Sequence, residues 1–174
     1  LAIVSQASRL QENHIAFKNS FFNFVKLRNI LYKNAVRSGL NRSICLNLQG
    51  RPTLNAGAYA LHQSSAHWEN FRYWQDIILN KGRLFTSDQL AMGLAIYQDN
   101  LSYEALPDIC NYMGPWRWCQ KRKLFVDYFA PYDPISVVHL AGHDNMRADP
   151  ATKITVMDMN DASIEKSLRF KGKY

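Results

Sequence analysis

An α/β fold follows from three features of this sequence. Strand-patterned and helix-patterned runs alternate from LAIVS at residues 1–5 to KITVMDM at residues 153–159. Apolar residues make up 47% of the 174, the share of an ordinary packed globule. Mean hydropathy is −0.30, and no apolar run approaches the roughly 20 residues of a membrane helix. The longest runs, such as Ser136 to Gly142, suit buried strands. The length fits a single domain, residues 1–174, which buries roughly 70% of its unfolded surface and needs no disulfide or metal staple. Composition sets aside collagen, a coiled coil, a membrane span and a disulfide scaffold.

LAIVS reads as a short buried strand, the last piece of a sheet begun upstream. Ala16 to Val36 is helical, with Phe17, Phe21, Phe24, Leu31 and Ala35 near one face and Lys18, Lys26, Lys33 and Arg37 opposite. Ser38-Gly39 ends it with a glycine cap. The pattern suits a core helix with a basic outer face, and also an interfacial membrane helix. Gly50-Arg51-Pro52 turns into TLNAGAYAL (53–61), a strand broken at Asn55-Ala56-Gly57, where a glycine marks a bulge or a close backbone approach. Ser64-Ser65 caps a helix from Ala66 to Asn80 whose stripe is Trp68, Phe71, Trp74 and Ile78, closed by Lys81-Gly82. Ser87 caps a helix from Asp88 to Gln98 with Leu90, Leu94 and Tyr97 as its buried face; Asp88 lies in the first turn, where the helix dipole favours negative charge. SYEAL (102–106) is a strand, Pro107-Asp108 a turn and CNYMGPWRWCQKRK (110–123) a loop. ISVVHLA (135–141) and KITVMDM are further strands. No repeat, low-complexity tract or linker divides the chain.

Lys and Arg number 21 against 14 Asp and Glu, a net charge of +7. That balance suits an anionic partner (nucleic acid, a phosphorylated small molecule or a membrane surface) or a merely soluble surface. Cys45, Cys110 and Cys119 are odd in number and form no Cys-x-x-Cys, which points to a reducing, cytoplasmic compartment. LAIVSQASRL has no basic leader and no Met, so it reads as the start of a piece cut from something longer rather than as a signal peptide.

Chemistry concentrates after ISVVHLA. His139 stands where a buried strand opens into a glycine-containing loop, a position for a metal ligand, an acid or base, or a satisfied structural ring. Gly142, His143, Asp144, Asn145 and Arg147 follow it. Asp88-Gln89 opens a helix and serves either as a site pair or as an ordinary first turn. Trp116, Trp118, Lys121, Arg122 and Lys123 interleave aromatics with positive charge, the pattern of single-stranded nucleic-acid binding, of sugar stacking or of a solvated surface. No phosphate-binding loop, nucleophile elbow, zincin motif or dinucleotide fingerprint is present.

In order, RPTLNAGAYAL, FTSDQLAMGLAIY, LPDICNYM and VVHLAGHDNMR resemble the C-terminal half of a GT-A glycosyltransferase of the family 8-like, glycogenin and lipopolysaccharide galactosyltransferase type. The resemblance covers roughly residues 50 to 150. It implies a GT-A-like mixed sheet flanked by helices, and hexose transfer from a nucleotide-diphosphate sugar to a glycan or lipid-linked acceptor. By the same resemblance Asn55, Ala56 and Gly57 wall the donor sugar, Asp88 and Gln89 are catalytic, and Leu106, Pro107 and Asn111 line the sugar pocket. His139 would ligate Mn²⁺ or Mg²⁺ and Gly142 would contact the diphosphate, with Arg147 facing the phosphates in place of the family's Lys-Pro-Trp. Neutralising a departing nucleoside diphosphate is work that a divalent cation and basic side chains can do. The family's Asp-x-Asp is absent before Asn55, where Glu12 is the first acidic residue, so the chain is expected to lack the N-terminal nucleotide-binding half. A peripheral association with a membrane fits this class, and nucleic acid is not expected as a partner. The alternatives are a basic nucleic-acid-binding module built on Trp116, Trp118 and Lys121 to Lys123, and a non-catalytic sugar-binding remnant.

Overall fold

Asn55, Ala56 and Gly57 set the first feature of the architecture. In the computed structural model, which describes residues 1–5, 29–140 and 143–169, β1 (Ala2–Ser5) pairs antiparallel with β2 (Leu54–Ala60). Ile3 faces Tyr59 but Val4 faces Asn55, so Ala56, Gly57 and Ala58 bulge opposite no residue of β1. The Asn55 side chain braces the bulge, its Oδ1 accepting the Gly57 N–H at 3.1 Å. β1 also pairs in parallel with β3 (Glu104–Leu106), giving a three-stranded mixed sheet in the order β2-β1-β3.

The chain's contacts group into two compact units, residues 1–108 and 109–174, where the sequence reading took one domain. The first holds four helices, α1 (Ile30–Arg37), α2 (Arg42–Asn47), α3 (His67–Lys81) and α4 (Ser87–Tyr97), among its described residues. α1 is the described end of the long expected helix; Phe17, Phe21 and Phe24 lie outside the described residues. It closes at Gly39, φ +67°, with Leu40 N–H bonded to Ala35 O and Gly39 N–H to Val36 O, a Schellman cap. α2 was not expected from sequence; Asn41 caps it by accepting the Ile44 N–H at 3.0 Å.

α3 and α4 correct the sequence reading in two ways. Neither serine caps as expected: α3 follows Ala66, with Ser65 turned to the His67 ring, and α4 begins at Ser87 after Thr86. The α3 stripe runs His67, Phe71, Trp74, Ile78, while Trp68 is displaced to the surface. α4 is buried continuously from Leu90 to Tyr97, because LAMGLAIY has no polar side and so fits only inside a core. Ile3, Leu31, Leu54 and Ile78, fully or almost fully buried, share its core. Asp99 ties its end to α3, one carboxylate oxygen accepting Asn70 Nδ2 and Trp74 Nε1, each at 2.7 Å.

The second unit carries its own four-stranded mixed sheet, β5-β4-β6-β7. β4 (Trp116–Cys119) and β5 (Leu124–Asp127) form a hairpin inside and just beyond the expected loop. β6 (Ile154–Asp158) is the expected KITVMDM strand, parallel to β4, and β7 (Ser163–Lys166) returns against it. ISVVHLA is not a strand. Its described residues run irregularly, held by single bridges at Pro134 and Val138 and by the bond from His139 N–H to Tyr112 O. Pro134 has no N–H to give a ladder, and the partner backbone at Ile109 to Tyr112 is largely a 3₁₀ turn (Asp108–Asn111). A short helix, α5 (Asp144–Ala148), follows. Tyr112, Trp116, Met146 and Val156 are this unit's core. Among the described residues no helix is long and apolar enough to cross a membrane.

Candidate functional site

In the first unit, β2, α3 and α4 enclose a cleft of about 370 Å³. Tyr59, Trp68 and Phe71 supply aromatic walls, Met92 an apolar one, and Arg72, Gln75 and Asp88 the polar groups. Tyr59 and Trp68 ring centroids lie 6.3 Å apart, and Trp68 meets Phe71 edge-on at the same distance. Each polar group is placed by its element. Gln75 is fixed by donating to Ser87 Oγ at 2.7 Å, and Ser87 in turn donates to Leu84 O. Asp88 is exposed in the first turn of α4, its Oδ1 accepting the Gln89 N–H at 2.8 Å, with its other oxygen available to a ligand.

Of the residues singled out from sequence in this unit, the structure brings Asp88 into the cleft. Asn55 is buried and Gly57 exposed on the bulge of β2, the strand that also supplies Tyr59. Leu106 ends β3, on the opposite edge of the sheet from β2, and Pro107 follows it, so these two do not join the Asn55–Gly57 bulge. Gln89 is half-buried behind Asp88. Sequence reasoning missed Tyr59, Trp68, Arg72 and Gln75. The signal was present: residues 68, 72 and 75 stand at helical spacing i, i+4, i+7 on a face beside the buried stripe.

The second unit holds the remaining candidates. Asn111 is buried at the end of its 3₁₀ turn. His139 is half-buried in the irregular run. Arg147, exposed on α5, is ion-paired to Asp144 one turn earlier, a partner that competes with any phosphate. Gly142 lies outside the described residues. Among the described residues no three His, Cys, Asp or Glu side chains gather as a metal site.

Trp116 and Trp118 are engaged in packing. Trp116 is 6% exposed; Trp118 meets Phe125 edge-on at 5.2 Å and carries the Lys166 ammonium 4.3 Å over its ring. Trp118 is half-buried, and Lys121, Arg122 and Lys123 are exposed. Between the two tryptophans Arg117 points to the other face, donating to Tyr128 O at 3.0 Å, Asp158 O at 2.8 Å and Asp161 at 2.7 Å, with the Tyr128 ring 4.5 Å away. Burial alone would lower this guanidinium, but the Asp161 bond and charge, with the two tyrosines, carry its pKa up. Burial pushes the Cys45 thiol up from its ordinary value.

Comparison with protein-family models, with curated proteins and with solved structures returns no match to this chain.

Proposed function

We propose that this chain is the C-terminal part of a GT-A-type hexosyltransferase, taking a hexose from a nucleotide-diphosphate sugar, and that the Asp88 cleft receives the sugar. The observation that supports the reading is the company Asp88 keeps: an exposed carboxylate at a fixed helix start, opposite Tyr59, Trp68 and Phe71. Aromatic walls with a few fixed polar groups are what orients a small polar ligand. A hexose offers C–H faces to the rings and hydroxyls to carboxylate, amide and guanidinium groups. As the sugar–phosphate bond breaks, positive charge grows on the sugar, and the Asp88 carboxylate stabilises it. Gln75, held by Ser87, orients a hydroxyl, and Arg72 offers a cation to the departing diphosphate. Mn²⁺ or Mg²⁺ belongs to this reading by resemblance, in which His139 would be a neutral imidazole ligand. The reading places the protein in the cytoplasm, acting on a glycan or lipid-linked acceptor.

The test is calorimetric titration of UDP-glucose into the chain, with and without Mn²⁺. Binding that weakens at least roughly tenfold in Trp68→Ala and Asp88→Asn is expected, since each removes one wall or one charge-assisted bond. Binding equal to wild type in both cleft variants, or no binding by the wild type, overturns the proposal.

A further inference from the structure

The loop between α3 and α4 carries the two most exposed large apolar side chains among the described residues, Leu84 at 77% and Phe85 at 86%. They are adjacent, and the loop that presents them is braced. Leu84 O accepts both the N–H and the hydroxyl of Ser87, at 3.1 and 2.7 Å. Thr86 donates its hydroxyl to Phe85 O at 2.6 Å and accepts Asn34 Nδ2 at 2.8 Å. Thr86 also sits at φ +66°, a left-handed conformation that a β-branched residue adopts only when its surroundings hold it. Strain and hydrogen bonds are thus spent on holding two apolar side chains out in water.

The surroundings of this loop are basic. A cleft of about 220 Å³ beside Phe85 is lined by Arg37 and Arg83 and, among the described residues, by no acidic one. Lys81 precedes Gly82 at the end of α3, close enough that a Cβ on Gly39 would meet its Cδ at 3.2 Å. Both ion pairs among the described residues lie in the second unit, so Arg37 and Arg83 are not neutralised by one. The hydroxyls of Thr86 and Ser87 are engaged within the loop, which leaves the two guanidinium groups as the charged recognition elements.

We infer that this loop docks the protein on the surface of an anionic phospholipid bilayer. Arg37 and Arg83 take a headgroup phosphate between them, and Leu84 and Phe85 enter the boundary between headgroups and acyl chains. Guanidinium groups match phosphate oxygens in paired bonds. Exposed apolar side chains ringed by cations are the composition of a surface that lies on a membrane rather than through it. A braced loop needs little further ordering on binding. The inference concerns a different part of the first unit from the Asp88 cleft and stands whether or not that cleft binds sugar.

Vesicle flotation tests it, comparing phosphatidylcholine alone with phosphatidylcholine containing one part in four of phosphatidylglycerol. The wild-type chain is expected to float with the anionic vesicles and not with the neutral ones. Leu84→Ser/Phe85→Ser should bind at least roughly tenfold more weakly, from loss of apolar insertion. Arg37→Gln/Arg83→Gln should bind on the order of thirtyfold more weakly, each cation near the surface being worth about fivefold. All four side chains are surface groups, and unchanged circular dichroism confirms that the variants fold. A Phe85→Trp variant gives an independent reading, a blue shift of emission on anionic vesicles. Equal flotation of wild type and both double variants overturns the proposal and assigns any membrane binding to another segment. Full displacement by millimolar inorganic phosphate, with Leu84→Ser/Phe85→Ser unaffected, also overturns it and identifies a soluble-phosphate site.

Discussion

Asp99 is one residue past the C-cap of α4, and its carboxylate holds α3 to that end through two bonds of 2.7 Å, from Asn70 Nδ2 and Trp74 Nε1. In Asp99→Ala both donors lose a charged acceptor. Hydrogen bonds to charged groups contribute about 1.5–3 kcal/mol each when buried. Asn70 is half-buried and regains water, so its loss is near the bottom of that range or below it. Trp74 is 6% exposed, and its indole N–H is left without an acceptor in a closed core, which costs about 1–3 kcal/mol. The sum is about 2–4 kcal/mol, or roughly 4–16 °C in Tm for a chain of this size. Asp99→Asn keeps a carbonyl oxygen in place and should cost about half as much. The assay is urea unfolding followed by far-ultraviolet circular dichroism, whose signal comes mainly from the helices of the first unit. A loss below about 0.5 kcal/mol in Asp99→Ala would refute the claim that this carboxylate clamps α3 to α4.

Arg117→Lys should destabilise the second unit by about 1.5–3 kcal/mol, because one ammonium cannot reach both carbonyls, the carboxylate and the Tyr128 ring; Asp161→Asn, at a side chain 74% exposed, should cost under about 1 kcal/mol. Thermal melts of the two variants check the contrast. Cys45, buried and with its pKa raised, should react with a thiol reagent far more slowly than the half-buried Cys110 and Cys119 at neutral pH, because the thiolate is the nucleophile and rises only as pH passes the elevated pKa. Mass spectrometry of a timed alkylation reads the order. Gly82→Ala should cost about 1–3 kcal/mol by chemical denaturation, since its Cβ would lie 2.6 Å from Ile78 O, and that oxygen is held by the Gly82 N–H.

Where sequence and structure agree, a local rule carried the signal. Gly39 ended α1, the Asn55–Gly57 break became a bulge and KITVMDM became β6: local residue types mark the cap and the break, and the strand also found ladders in β4 and β7. The β4–β5 hairpin was hidden for the converse reason. Its turn places Lys123 at φ +55°, a conformation that announces itself in sequence when Gly or Asn occupies it and not when Lys does. ISVVHLA has the composition of a strand, yet strand formation needs a partner ladder, and the backbone beside it at Ile109 to Tyr112 offers isolated bonds. The all-round burial of α4 was legible in LAMGLAIY, which has no polar side, although its period alone points to a single buried face of Leu90, Leu94 and Tyr97.

The candidate site follows the same division. Asp88 was legible because a carboxylate in a helix's first turn is a local pattern; its partners were not, because they come from β2 and α3. The expected stripe of α3 holds at Phe71, Trp74 and Ile78, and only its first position differs. His67 occupies the core position that Trp68 was expected to fill, and a polar ring can do so here because both nitrogens have partners. Nε2 lies 2.8 Å from Ser102 O, an acceptor, so Nε2 donates, and Nδ1 is left to accept the Ser65 hydroxyl at 2.7 Å. On the face beside this stripe Trp68 lies against Tyr59, and Arg72 and Gln75 stand on Asp88's side. Phe71, Trp74 and Ile78 set the core face of α3, and the two hydrogen bonds of His67 let a polar ring extend that face by one more turn. Replacing His67 with Leu keeps an apolar side chain in the buried row but takes the ring partner from Ser102 O and the Ser65 hydroxyl, and a loss of about 1–3 kcal/mol in urea unfolding checks that these bonds hold the start of α3.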